Sequence, residues 1–97
     1  MSNGVYVLVT KDGYRAAYSD NYDAFFGPFI DESFNYLPEG EEFYKVFGKC
    51  DVYSNETDAL KFATEISKFF IHLDDGIMFI RNYPEITFEE LIYGNKT

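Results

Sequence analysis

Val5, Val7 and Val9 alternate with Tyr6, Leu8 and Thr10 near the start of the chain. A β-branched and aromatic run of this kind suits a strand buried on both faces or nearly so. Lys11-Asp12-Gly13 supplies a turn, with Gly13 free to take a positive φ. Tyr14, Ala16 and Tyr18 then share one face and Arg15 and Ala17 the other, so residues 4–18 predict a β-hairpin. A third alternation sets Phe43, Lys45, Phe47 and Lys49 against Tyr44, Val46, Gly48 and Cys50. It predicts a strand over residues 42–52, with a bulge near Gly48. The lysines on one side imply a sheet with one wet face.

The period then changes. Ala59, Leu60, Ala63, Ile66 and Phe70 recur at helical spacing, with Phe62 and Phe69 widening the stripe. Ser54 or Asn55 is the N-cap candidate, and Glu56 and Asp58 sit in the first turn, where the helix dipole favours them. Lys61, Thr64, Glu65 and Lys68 take the outer face, and the helix is expected over about residues 56–71. Asp74-Asp75-Gly76 reads as a turn and Ile77–Tyr83 as a fourth strand ended by Pro84. Thr87-Phe88-Glu89-Glu90 has capping-box spacing, with Ile86 and Leu91 placed as its hydrophobic staple. A short helix to about Tyr93 follows, before a frayed tail at 94–97.

Between hairpin and third strand lies a connection over residues 19–41. Asp20 or Asn21 can cap a short helix through Tyr22–Phe26, stopped by Gly27-Pro28; Phe29–Leu37 has no clean period, and Pro38-Glu39-Gly40 marks a turn. Connections this long are usually functional or packed by their own side chains. The predicted fold class is therefore α+β. A small single domain spans residues 1–97, with a mostly antiparallel sheet of about four strands, hairpin first, one main helix on one face and a short C-terminal helix.

Composition changes this picture mainly through charge. The 97 residues are 46% hydrophobic and 21% aromatic, enough material for a core. The formal net charge is −9, and from Ala16 to Tyr44 there are seven carboxylates, nine aromatics and no basic residue. An acidic chain is a poor direct binder of nucleic acid or of an anionic membrane, since phosphate contacts need Lys or Arg. It is suited to a basic partner. One cysteine, Cys50, excludes an internal disulfide and fits a reducing compartment. The start of the chain lacks signal-peptide character and no apolar run approaches a membrane span, so the expected location is cytoplasmic, the host cytoplasm if the chain is phage-encoded.

Catalytic chemistry finds little to work with. His72, the single histidine, is expected at the carboxyl end of the main helix in a structural or surface role, and Cys50 is expected in the core. One Cys and one His do not make a zinc site, Asp74-Asp75-Gly76 lacks the pattern of a calcium loop, and no Gly-rich phosphate loop occurs. No cofactor, metal or catalytic residue is assigned. The carboxylate pairs are read as solvated surface, and an enzyme is not expected.

What remains is the acidic segment. Its plain reading is an aromatic loop closing a small core with its carboxylates in water. Its sharper reading is a negative surface at fixed spacing that occupies a site built for nucleic-acid phosphates on another protein. The candidate partner-binding residues are Asp20, Tyr22, Asp23, Asp31, Glu32, Phe34, Tyr36, Glu39, Glu41 and Glu42. Small size and a concentrated acidic face are shared, in kind, with phage and mobile-element proteins that block host nucleases or polymerases by imitating DNA. The expectation is a non-enzymatic inhibitor or regulator of a nucleic-acid-handling protein. Two alternatives stand beside it: a homodimer joined through the aromatic segment, and a small-molecule binding module.

Overall fold

The computed structural model describes residues 3–20 and 47–93 of the chain. Strand β1 (Gly4–Thr10) occupies the centre of a sheet, with β2 (Gly13–Ser19) on one side and β3 (Ile77–Ile80) on the other. β1 and β2 pair antiparallel from Gly4↔Ser19 to Thr10↔Gly13. Gly13 has a φ of +139°, and a Cβ there would lie 2.6 Å from Val52 Cγ1. Both facts reserve the position for glycine.

The expected sheet is corrected in two respects. Among the described residues it has three strands, and it is mixed, because β3 runs parallel to β1 in the register Val5↔Ile77 to Leu8↔Ile80. The residues expected to extend the third strand beyond 46 form a turn instead, with Cys50 N–H donating to Phe47 O at 3.2 Å. Strict alternation would send Phe47 and Lys49 to the same side. The turn buries Phe47 completely and leaves Gly48 and Lys49 in water. Just past the expected strand, Tyr53 forms an isolated antiparallel bridge and exchanges backbone bonds with Tyr14 at 2.8 and 2.9 Å. Residues 42–46, the helix expected at 22–26 and the tail at 94–97 lie outside the described residues.

Every residue of β1 is buried, because both faces of the sheet are covered. On one face Val5, Val7 and Ala16 meet Ala59 and Ala63 of helix α1 (Glu56–Ser67). Two alanines one turn apart let the helix backbone approach the sheet closely. On the other face Tyr6, Leu8 and Ile80 pack with Phe47 and with Phe88 and Leu91 of helix α2 (Phe88–Tyr93). The anticipated wet face is thus a second core. Each large side chain in it contributes about 1.5–3 kcal/mol by leaving water.

Asn55 caps α1, its Oδ1 accepting from Asp58 N–H at 2.9 Å. The helix ends at Ser67, short of the expected Ile71. Its last turn tightens into i→i−3 bonds, Phe69 N–H to Ile66 O and Phe70 N–H to Ser67 O, and Phe70 leaves the helical stripe to stack on Tyr18 with ring centroids 3.9 Å apart. Leu60, Phe69 and Ile71, counted with or next to that stripe by spacing, stay exposed. β3 ends at Ile80, earlier than Tyr83, because Arg81 turns to Glu56 and Tyr83 folds against the second core. The capping box of α2 forms as its spacing predicts: Glu90 N–H donates to Thr87 Oγ1 at 3.1 Å and Thr87 N–H to Glu90 Oε1 at 3.3 Å.

Candidate interaction surface

Of the candidate partner-binding residues, the described structure contains Asp20. It is exposed, in the bend that follows β2. Tyr22, Asp23, Asp31, Glu32, Phe34, Tyr36, Glu39, Glu41 and Glu42 lie outside the described residues. The anchors of their segment are on the page, however. Ser19 before it is buried in the sheet, and Phe47 after it is fully buried between Tyr6, Leu8, Ile80, Phe88 and Leu91. The acidic connection therefore leaves from and returns to the packed part of the molecule.

Charges of both signs are interspersed on the described residues, and some of them are paired. Arg81 donates to Glu56 at 2.6 Å and its guanidinium lies 4.5 Å from the Phe79 ring centroid. Lys68 and Glu65 approach to 3.5 Å, and His72 Nε2 lies 2.8 Å from Asp74 Oδ1. Both signs of charge thus share this surface. The stretch between Ala16 and Tyr44, with carboxylates alone, is of another kind.

Among the described residues, one polar group with several partners is one that spacing did not single out. Asp12, in the β1–β2 turn, accepts through Oδ1 from Thr10 Oγ1 at 2.7 Å and from Phe88 N–H at 2.9 Å. Its Oδ2 accepts from Arg15 at 3.2 Å. Arg15 is buried, with its guanidinium carbon 4.1 Å from the Phe88 ring centroid. Burial alone would raise the Asp12 carboxyl; the hydrogen bonds from Thr10, Phe88 and Arg15 outweigh it and hold the group below its usual range. The turn and the start of α2 are locked further by Lys11 N–H donating to Ile86 O at 2.7 Å. An Asp-Gly turn is visible in sequence, but nothing local announces its contact 76 residues away.

A second such group closes the other end of the sheet. The hydroxyl of fully buried Tyr6 donates to Asp75 Oδ2 at 2.6 Å. Asn3 accepts from Asp74 N–H through its side chain at 2.9 Å and from Asp75 N–H through its carbonyl at 2.9 Å. Asp74 and Asp75 are thereby held at the entry to β3. His72, expected at the end of the main helix, belongs to this turn instead.

Two features bear on chemistry. The Cys50 thiol is half-buried and donates to Ala16 O at 3.4 Å. Burial first, and the neighbouring Asp51, push its pKa up against the pull of Arg15, which disfavours the nucleophilic thiolate. It lies in a turn rather than on the expected strand, and packs against the second core. A recess of about 290 Å³ opens between Tyr53, Asp58, Lys61, Phe62 and Glu65, with the Tyr53 and Phe62 rings 5.4 Å apart. Its volume falls at the low edge of small-molecule sites, which run from about 300 Å³ upward. Among the described residues no group of three His, Cys, Asp or Glu side chains is placed to hold a metal ion. No helix there is long and apolar enough to cross a membrane.

Compared with protein-family models, with curated proteins and with solved structures, the chain matches none.

Proposed function

We propose that this protein is a non-enzymatic acidic binding protein that blocks a basic, nucleic-acid-binding surface of a partner, as an inhibitor or regulator of the phage or mobile-element anti-defence type, with imitation of DNA as its route. The observation that carries the reading is the single sign of charge over the 29 residues from Ala16 to Tyr44. Supporting it, that stretch is pinned at Ser19 near its start and at Phe47 just past its end, whereas elsewhere on the described surface both signs of charge occur together. A negative stretch anchored at both ends costs less entropy to dock than a free acidic tail. Its carboxylates supply long-range steering toward a basic cleft, and Tyr22, Phe34 and Tyr36 supply apolar anchors.

Two changes in one chain test the reading. Asp31→Lys with Glu32→Lys reverses charge in the middle of the stretch, far from every described core residue in sequence. The unaltered protein is expected to hold a partner that duplex DNA displaces in competition and that rising salt releases, and the doubly reversed protein is expected to lose that partner at unchanged thermal stability. Undiminished binding by the reversed protein, or a partner that duplex DNA does not displace, rules the proposal out.

A further inference from the structure

Asn3-Gly4 is the one Asn-Gly pair in the chain. Such a pair is prone to lose its side-chain amide, because glycine has no side chain to hinder its own nitrogen as that nitrogen attacks the preceding carboxamide. The fold uses both residues. A Cβ on Gly4 would lie 3.0 Å from Asp75 Cβ and 3.1 Å from Gly76 O, so the turn before β3 sits closely on β1 where that side chain is missing. Asn3 holds the same turn. Its Oδ1 accepts from Asp74 N–H at 2.9 Å and its carbonyl from Asp75 N–H at 2.9 Å. Its Nδ2 donates to His72 O at 3.1 Å and to the Tyr18 hydroxyl at 3.4 Å.

We propose that Asn3 is a site of spontaneous deamidation, and that local opening of the 72–76 turn from the start of β1 sets its rate. Gly4 N gives its proton to hydroxide and bonds to Asn3 Cγ, and the carboxamide nitrogen leaves as ammonia. Water then opens the five-membered imide at one of its two carbonyl carbons. The product is aspartate at position 3, or an isoaspartyl link in which the main chain runs through Cγ. In the closed fold the reacting atoms are kept apart. Val5 N–H turns to Gly76 O, so by the alternation of an antiparallel ladder Gly4 N–H turns the other way, toward Ser19. The Asn3 carboxamide is meanwhile fastened to Asp74 and His72. Attack needs both released, and the bond from the Tyr6 hydroxyl to Asp75 resists that release. Openings confined to one end of a sheet cost less than unfolding. Neither product has a donor for His72 O, and both add a negative charge beside Asp74 and Asp75. The Gly4↔Ser19 pair, where the acidic connection leaves the sheet, is thereby loosened.

Mass spectrometry of the full chain during incubation at neutral pH tests this, since trypsin releases a peptide ending at Lys11 in which Asn3 is the only amide side chain. The step from amide to acid is expected at least about tenfold more slowly in the folded chain than in a synthetic 1–11 peptide. Tyr6→Phe is expected to speed it about tenfold, the effect of one hydrogen bond to a charged group. In the unaltered chain the rate is expected to stay nearly flat in urea below the unfolding transition, because a local opening exposes little surface. Converted chains, separated by their added charge, are expected to show faster exchange of the Ser19 amide. A folded chain that converts as fast as the peptide, one that converts neither alone nor as Tyr6→Phe, or a Tyr6→Phe rate equal to that of the unaltered chain overturns the proposal. So does a rate that climbs with urea as steeply as unfolding itself, or a Ser19 amide unchanged by conversion.

Discussion

Asp12 shows how one side chain joins three parts of the chain. Its carboxylate takes bonds from β1 through Thr10, from β2 through Arg15 and from the first residue of α2. The group titrates below its usual value of 3.8, so the stability it lends is present above that pH and is lost as pH falls through the lowered value of the folded state. Its side chain is 39% exposed, and solvent screens part of the effect. Asp12→Asn keeps an acceptor for Phe88 N–H but leaves the buried Arg15 without its counter-charge. The expected loss is about 1 kcal/mol at neutral pH. In urea unfolding at a series of pH values, the gap between the two proteins should close from about pH 4 downward. A gap that persists in acid would assign the loss to packing.

Among the elements, α2 depends most on its ends. It is six residues long, too short to hold together by propensity, and its first turn is secured by the Thr87–Glu90 capping box and by Asp12. Thr87→Ala removes a cap worth about 1 kcal/mol. Because Phe88 and Leu91 belong to the second core, the loss should appear as a lower urea midpoint for the whole fold rather than as local fraying. The capping box was legible because its signal lies within four neighbouring positions. So were the strand residues around Val5–Val9 and the start of α1, each marked by a local period and by Asn55. The end of α1 was not, since Phe69, Phe70 and Ile71 continue a hydrophobic run that only the Tyr18 ring interrupts. Nor was the turn at Phe47: alternation through Lys49 mimics a strand, and a burial decided by Tyr6 and Leu8 leaves no mark on the segment itself.

For the whole molecule, the sheet's two cores were half legible. The helix face was visible in the Ala59 and Ala63 spacing, whereas the second face was expected to be wet, because its cover comes from Phe47 and α2, far apart in the chain. The candidate surface was legible only as a charge pattern, and a pattern of sign carries no coordinates. Phe47 connects the two subjects, as the buried residue at which the acidic connection rejoins the core. Phe47→Ala should destabilise the fold by about 3–5 kcal/mol, measured by thermal or urea unfolding. A loss below about 1 kcal/mol would mean that the second core closes without it.

The parallel pairing of β1 with β3 has a further consequence in time. Val5 and Ile77 are partners, yet 71 residues separate them along the chain. During synthesis at about 5–20 residues per second, β1 waits several seconds for its second neighbour. Until then the valines of the sheet's central strand have β2 on one side and an open flank on the other. Pairings between residues so distant form slowly, because loop closure must precede any gain from contact. The nascent chain thus spends its most adhesive interval with a strongly anionic stretch already made, and mutual repulsion between such chains on neighbouring ribosomes opposes their coalescence.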